Sequence, residues 1–195
     1  DGTLLDSHHN LKPAVAAAVQ KALDNDILVM PATGRARSGP WLQNVLEPLF
    51  PSPAGVFLQG LTAFNADGDR ILDYKLSFRR VLLRALEVAR AENTVLCAYC
   101  NERLLAAGDA ADSRIERYAS LGEAQPEALS EADFLEQCDA LSVNKLLMLA
   151  SEEEIPQLLP RLSAGLRWRP GRVVQALSWT LEVLPRGASK GSGAT

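Results

Sequence analysis

The sequence predicts an α/β fold carrying an inserted α+β segment, and three observations support it. A strand, a helix and a strand fall close together at the start, in the roughly 30 residues that a βαβ unit needs. The run Ile27-Leu28-Val29-Met30 is continuously apolar, as in a strand covered on both faces. From residue 78 to residue 184 the pattern changes to alternating helices and short strands, before a Gly/Ser-rich close.

Taken in order, Leu4 and Leu5 end a first strand, and residues 6–10 are polar and read as a loop. His8 and His9 are adjacent in that loop, where neighbouring side chains rarely converge on one atom, so they are read as solvated rather than catalytic. Pro13 suits the first turn of a helix. Val15, Ala18, Val19 and Ala22 hold helical spacing up to Asp24. After the apolar run comes Pro31-Ala32-Thr33-Gly34-Arg35, at a strand's carboxyl end, where ligands bind in open α/β sheets. That rule brings Asp1-Gly2-Thr3 and Thr33-Gly34-Arg35 into one crevice if their strands are neighbours. A helix from Ser38 through Leu46 is ended by Pro48, Pro51 and Pro53. Residues 55–60 form a third strand, and Asp67-Gly68 is the turn of a following hairpin.

In the insert, Ser77 caps a helix over residues 78–91 with Val81, Leu82, Ala85, Leu86 and Ala89 on one stripe. Strands follow at 94–99 and 103–107, joined by Asn101-Glu102. A short helix at 112–119 and another from Ser130 to about Cys138 lead to a strand at 144–150. Ser151 then caps a helix reaching Gly165. Glu152, Glu153 and Glu154 suit its positive end better than they suit a metal cluster. Strands at 172–178 and 180–184 pair through a tight turn. The closing stretch, 185–195, reads either as a flexible tail or as a phosphate loop around Lys190; it lacks the Gly-x4-Gly-Lys-Ser/Thr pattern.

Composition narrows the classes. Of 195 residues 47% are hydrophobic, enough for one good core or two modest ones. The net charge of -4 argues against a nucleic-acid partner, which calls for a basic patch. No run approaches the ~18 apolar residues of a membrane span. A soluble protein is expected, its compartment left open between cytoplasm and plastid, and nothing in the sequence sets its oligomeric state. Cys97 and Cys100 have the spacing of a redox or zinc pair, but residues three apart on a strand face opposite ways. With no second pair nearby to complete a tetrahedral site, reduced thiols, half of them buried, are expected.

Three separated stretches, in this order, resemble the motifs of the haloacid dehalogenase superfamily. Asp1-Gly2-Thr3-Leu4-Leu5 resembles the end of its first motif, Asp-x-Asp-Gly-Thr-Leu-Leu. Val29-Met30-Pro31-Ala32-Thr33-Gly34-Arg35 resembles the second motif of the Cof-type phosphatase branch, and residues 181–191, Leu-Glu-Val-Leu-Pro-Arg-Gly-Ala-Ser-Lys-Gly, resemble the third. Gln59-Gly60 before the hairpin is similar to the branch's Asn-Gly, with Gln in place of Asn. The wording around these motifs looks closest to domains of plant and algal type. The resemblance implies a Rossmannoid three-layer core, here partial, over residues 1–77. It implies an α+β cap over 78–184 and a return to the core at 185–195.

The resemblance also implies a Mg²⁺-dependent phosphatase that hydrolyses a small phosphorylated metabolite (a sugar phosphate, FMN or PLP type) through an aspartyl-phosphate. Such chemistry needs a nucleophilic carboxylate and an acid for the leaving alkoxide. Asp1 matches the acid, its backbone carbonyl being the implied Mg²⁺ ligand. Thr33 matches the hydrogen-bond donor to the phosphoryl oxygens and Lys190 the shielding cation. Gly2, Thr3, Gly34 and Gly60 fall at the phosphate site, and Arg35 either holds substrate or orders the loop. Two departures stand out: the nucleophilic Asp belongs two residues before Asp1, and the fourth motif, Gly-Asp-x-x-Asn-Asp, belongs beyond Thr195. The chain as it stands is therefore expected to be inactive and, with sheet edges exposed, unstable. A non-catalytic binding or regulatory domain is the alternative, and transfer to another metabolite or a mutase activity a minor one.

Overall fold

The computed structural model describes residues 3–6, 10–50, 52, 54–76, 79–166 and 171–194. The chain divides into two compact units. The first takes Asp1–Asp73, Leu121–Glu123 and Ser189–Thr195; the second takes Tyr74–Ser120 and Ala124–Ala188.

In the first unit, helix α1 (Pro13–Leu23) starts on its proline and has no fully buried residue. A π-helical stretch, Leu42–Leu46, runs into the single turn α2 (Glu47–Leu49), so the helix continues one residue past Pro48. Strands β1 (Gly55–Phe57), β2 (Thr62–Phe64) and β3 (Arg70–Asp73) form an antiparallel sheet in that order. Asn65 Oδ1 accepts from the amides of Asp67 and Asp69, which tightens the expected Asp-Gly turn. The unit's core is aromatic: Trp41, Phe50, Phe57 and Phe64 gather with Leu46 and Leu49.

Residues 27–30, expected as a strand covered on both faces, form no ladder with any described strand. Ile27 is 56% and Leu28 86% exposed. The composition is that of a buried strand, but a strand exists only against a hydrogen-bonding neighbour. The neighbour present, Val56, meets the chain further on: Thr33 N–H donates to Val56 O (2.9 Å) and Val56 N–H to Pro31 O (2.9 Å), a single parallel bridge at Ala32. Leu5 likewise bridges antiparallel to Leu11 rather than joining a sheet.

In the second unit, α3 (Arg79–Ala91) buries the expected stripe and Val88 as well. The other elements are β4 (Val95–Cys100), β5 (Arg103–Ala107), α4 (Ser113–Ala119), β6 (Glu127–Leu129), α5 (Glu131–Leu141), β7 (Lys145–Leu149), α6 (Ile155–Leu166), β8 (Gly171–Leu177) and β9 (Thr180–Pro185). The sheet order is β6-β5-β4-β7-β9-β8, with only β5 and β6 parallel. β6 carries no alternation strong enough to be read from sequence. Helix α6 begins later than expected, because Glu154 Oε2 accepts from the Ser151 amide and holds residues 152–154 in a turn.

One sheet face packs Leu96, Ala98 and Cys100 against α3, α5 and α6. The other face, with Cys97, is buried too, while Cys138 of α5 packs with Cys100 on the first, so all three thiols, rather than half, are enclosed. Burial pushes the Cys97 thiol well above the usual range. Across β7 and β9, Lys145 and Glu182 form a buried ion pair at 2.5 Å, and the Tyr99 and Tyr118 hydroxyls meet at 2.6 Å. Among the described residues no helix is long and apolar enough to cross a membrane.

Candidate active site

The loop after the parallel bridge carries Thr33, Gly34 and Arg35. Its backbone is tied to the turn after β1: Gln59 N–H donates to Thr33 O (3.1 Å) and Leu58 N–H to Arg35 O (2.9 Å). Arg35 N–H in turn donates to Thr33 Oγ1 (3.1 Å). A hydroxyl that accepts this bond still carries a proton that it can donate. The Gln59 side chain lies directly on Gly34: a Cβ there would stand 2.5 Å from Gln59 Nε2 and would push the carboxamide aside.

Arg35 points into the protein. Its Nη1 donates to Leu121 O (2.8 Å) and to Glu123 Oε1 (3.1 Å), and the guanidinium carbon lies 5.7 Å from the centre of the Trp41 ring. Trp41 N–H donates to Gly122 O (3.0 Å). These contacts tie the loop of Thr33 and Arg35 to residues 121–123. Leu121 and Glu123 carry no motif and lie 86 and 88 residues from Arg35, so nothing in the sequence marks them.

The stretch around Lys190 is a folded turn rather than a loose tail. Ser189 N–H donates to Ser192 Oγ (2.9 Å), Ser192 N–H to Ser189 Oγ (3.0 Å) and Gly193 N–H to Ser189 O (3.1 Å). The turn packs against Gly60, whose φ of 91° and close approach to the Ser189 carbonyl leave no room for a side chain. Gly60 thus serves here as a packing point for the Lys190 turn. The Lys190 side chain is exposed and, among the described residues, has no ion-pair partner.

Thr3, Thr33, Arg35 and Lys190 line one cavity of about 280 Å³, whose apolar wall includes Val19, Leu46 and Phe50. Gly34 and Gly60 lie outside its lining, and Asp1 and Gly2 fall outside the described residues. A hydroxyl and an exposed ammonium lining one cavity form a site for an oxyanion.

The family profile of the haloacid dehalogenase-like hydrolases matches residues 1–195, the whole chain. The chain belongs to that family. Members of the family generally use Mg²⁺. A haloacid dehalogenase-like hydrolase from Bacteroides thetaiotaomicron superimposes with a TM-score of 0.80 at 18% identity, covering 100% of this chain and 71% of the other. A sugar phosphatase of subclass IIB does so with a TM-score of 0.73 at 16% identity, over 100% and 70%. The α/β class and Rossmann-like core expected from the sequence agree with these haloacid dehalogenase folds. Among curated proteins, the chloroplastic endoribonuclease YBEY of Arabidopsis thaliana is 28% identical over 205 residues. That match takes in 99% of this chain but 34% of the relative, so the chain spans about a third of that protein.

A Mg²⁺ site requires several oxygen ligands. Among the described residues no three His, Cys, Asp or Glu side chains converge. The described residues of this family member therefore do not furnish that site by themselves.

Proposed function

We propose that the protein is a phosphatase of small phosphorylated metabolites, of the sugar phosphate, FMN or PLP type, working through an aspartyl-phosphate. The observation that carries this reading is the shared cavity of Thr33 and Lys190, 157 positions apart by number yet lining one wall set with Thr3. In this reading the Lys190 ammonium offsets the charge of the phosphate as it approaches the nucleophilic carboxylate, which the family places two residues before Asp1. Electrostatic support of that kind is what phosphoryl transfer chiefly requires. The Thr33 hydroxyl donates to a phosphoryl oxygen and fixes the group's orientation. Asp1 protonates the leaving alkoxide and then takes a proton from the water that opens the acyl phosphate. Mg²⁺, when bound, would supply further charge neutralisation, and the Asp1 backbone carbonyl is the group of this chain that would hold it; residues 78–184 serve as a cap over the substrate.

A phosphate-release screen of the full-length protein against a panel of phosphometabolites tests this. Turnover is expected with Mg²⁺, lost on chelation and restored by adding the metal back. Lys190→Ala and Asp1→Asn are expected to abolish it, by about 100-fold or more, the usual scale for one electrostatic or acid–base group. Undiminished turnover in either variant would refute the assigned role.

A second reading, a non-catalytic regulatory domain, is favoured by one observation: the curated relative is a much larger protein with a different stated activity. Tight binding of phosphate esters without release of phosphate would select it. Neither reading involves a nucleic-acid or membrane partner, and the oligomeric state is left to measurement by light scattering.

A further inference from the structure

The turn Leu58–Gly60 stands between the loops that carry Thr33 and Lys190, and its backbone is held under strain. Leu58 (φ 49°), Gln59 (φ 62°) and Gly60 (φ 91°) take left-handed conformations in succession. Leu and Gln keep such a conformation only where surrounding contacts enforce it, a feature that clusters at functional sites.

The contacts run two ways. Toward the first loop, the Leu58 and Gln59 amides donate to the carbonyls of Arg35 and Thr33, and the Gln59 carboxamide covers Gly34. Toward the second, Gly60 packs on the Ser189 carbonyl, where a Cβ would stand 2.5 Å from the carbonyl carbon. Gly193 packs back, so that a Cβ there would meet Gly60 Cα at 2.9 Å. A three-residue turn thus touches both loops through its backbone, without lining the cavity itself.

We propose that the Leu58–Gly60 turn is a positioning element that sets the separation of Thr33 and Lys190, with Gln59 gauging one loop and Gly60 the other. The purpose of that separation rests on the phosphatase reading; the mechanical link between the loops does not. Strain suits the task, because a turn with slack would let the two groups drift, and misplacement of about 1 Å costs about 100-fold in rate.

The test uses the full-length protein, with hydrogen exchange read on peptides covering residues 31–36 and 186–194 and turnover of p-nitrophenyl phosphate read alongside. Gly60→Ala is expected to speed exchange in both peptides and to lower kcat by about 100-fold, with a change in KM at least about tenfold smaller. Gly34→Ala alone drives its new methyl into the Gln59 carboxamide and lowers kcat. In a Gln59→Ala background the same substitution is expected to cost much less, since residues in contact couple. Unchanged exchange over 186–194 in Gly60→Ala, or strictly additive effects of Gly34→Ala and Gln59→Ala, overturns the proposal. If Gly60→Ala does not fold, the Gly34/Gln59 pair decides by itself. Exchange effects as expected in a protein with no turnover would remove the phosphatase reading and leave the positioning role standing; turnover with no exchange effect would do the reverse.

Discussion

The guanidinium of Arg35 faces Glu123 at 3.1 Å with both side chains only 6% exposed. Removing one member of a buried pair strands the other charge without solvent, which typically costs about 3–5 kcal/mol. Glu123→Ala is therefore expected to destabilise the first unit by about 3 kcal/mol in urea denaturation. Glu123→Gln, whose amide oxygen still accepts from Nη1, should cost clearly less. A Glu123→Ala midpoint close to that of the unmodified protein would mean that the pair does not hold the loop. At this scale residue type and local wording single out Thr33 and Lys190 in the sequence, and both line one cavity. The sequence was silent on Glu123, because a carboxylate 88 positions away leaves no local trace.

Helix α4 shows what an element draws from its own ends. Asp112 caps it, its Oδ1 accepting from the Arg114 amide (2.9 Å), while the Arg114 guanidinium grips both carboxylate oxygens at 2.9 and 2.7 Å. The hydrogen bonds from the Arg114 side chain, more than the others, hold the Asp112 carboxyl below the usual range. A depressed carboxyl contributes stability that is present above its unfolded value, about 4, and is lost as pH falls through the folded one. The second unit is thus expected to weaken below about pH 4. Asp112→Asn, which keeps the cap, should lower the thermal midpoint at pH 6 by the equivalent of at most about 1 kcal/mol. The difference from the unmodified protein should narrow as pH falls below about 4; a gap that stays constant as the pH is lowered would exclude the ion pair as its source.

The same scale holds the clearest departures. The helix starts at Asp112 and Ser130 were readable because the cap that sets each is a contact within three residues. The ladder expected at residues 27–30 was not, because a ladder needs a second strand whose position the run itself does not encode. Its hydrophobic composition is nonetheless real, and Leu28 presents most of its surface to solvent.

Over the whole molecule, the second unit holds a continuous hydrophobic cluster of its own, from Leu76 through Val183, beneath a six-stranded sheet. A unit with its own core folds independently. Residues 74–188 expressed alone are expected to give a cooperative thermal transition and the circular dichroism of a mixed α/β protein; a non-cooperative melt would count against it. The first unit, by contrast, gathers Leu121–Glu123 and Ser189–Thr195 to itself from far along the chain.

The sequence by itself determined the class of fold, the positions of nearly every helix and hairpin in the insert, and the three motifs that identify the family. Those are matters of periodicity, capping and short ordered wording, all of which live within a few neighbouring residues. Only the tertiary structure decided that Arg35 anchors Leu121 and Glu123, that Gly60 makes room for the Lys190 turn, and that all three thiols are enclosed. Each of these depends on which distant segments come within a few ångströms of one another. Packing sets that, and a linear pattern does not record it.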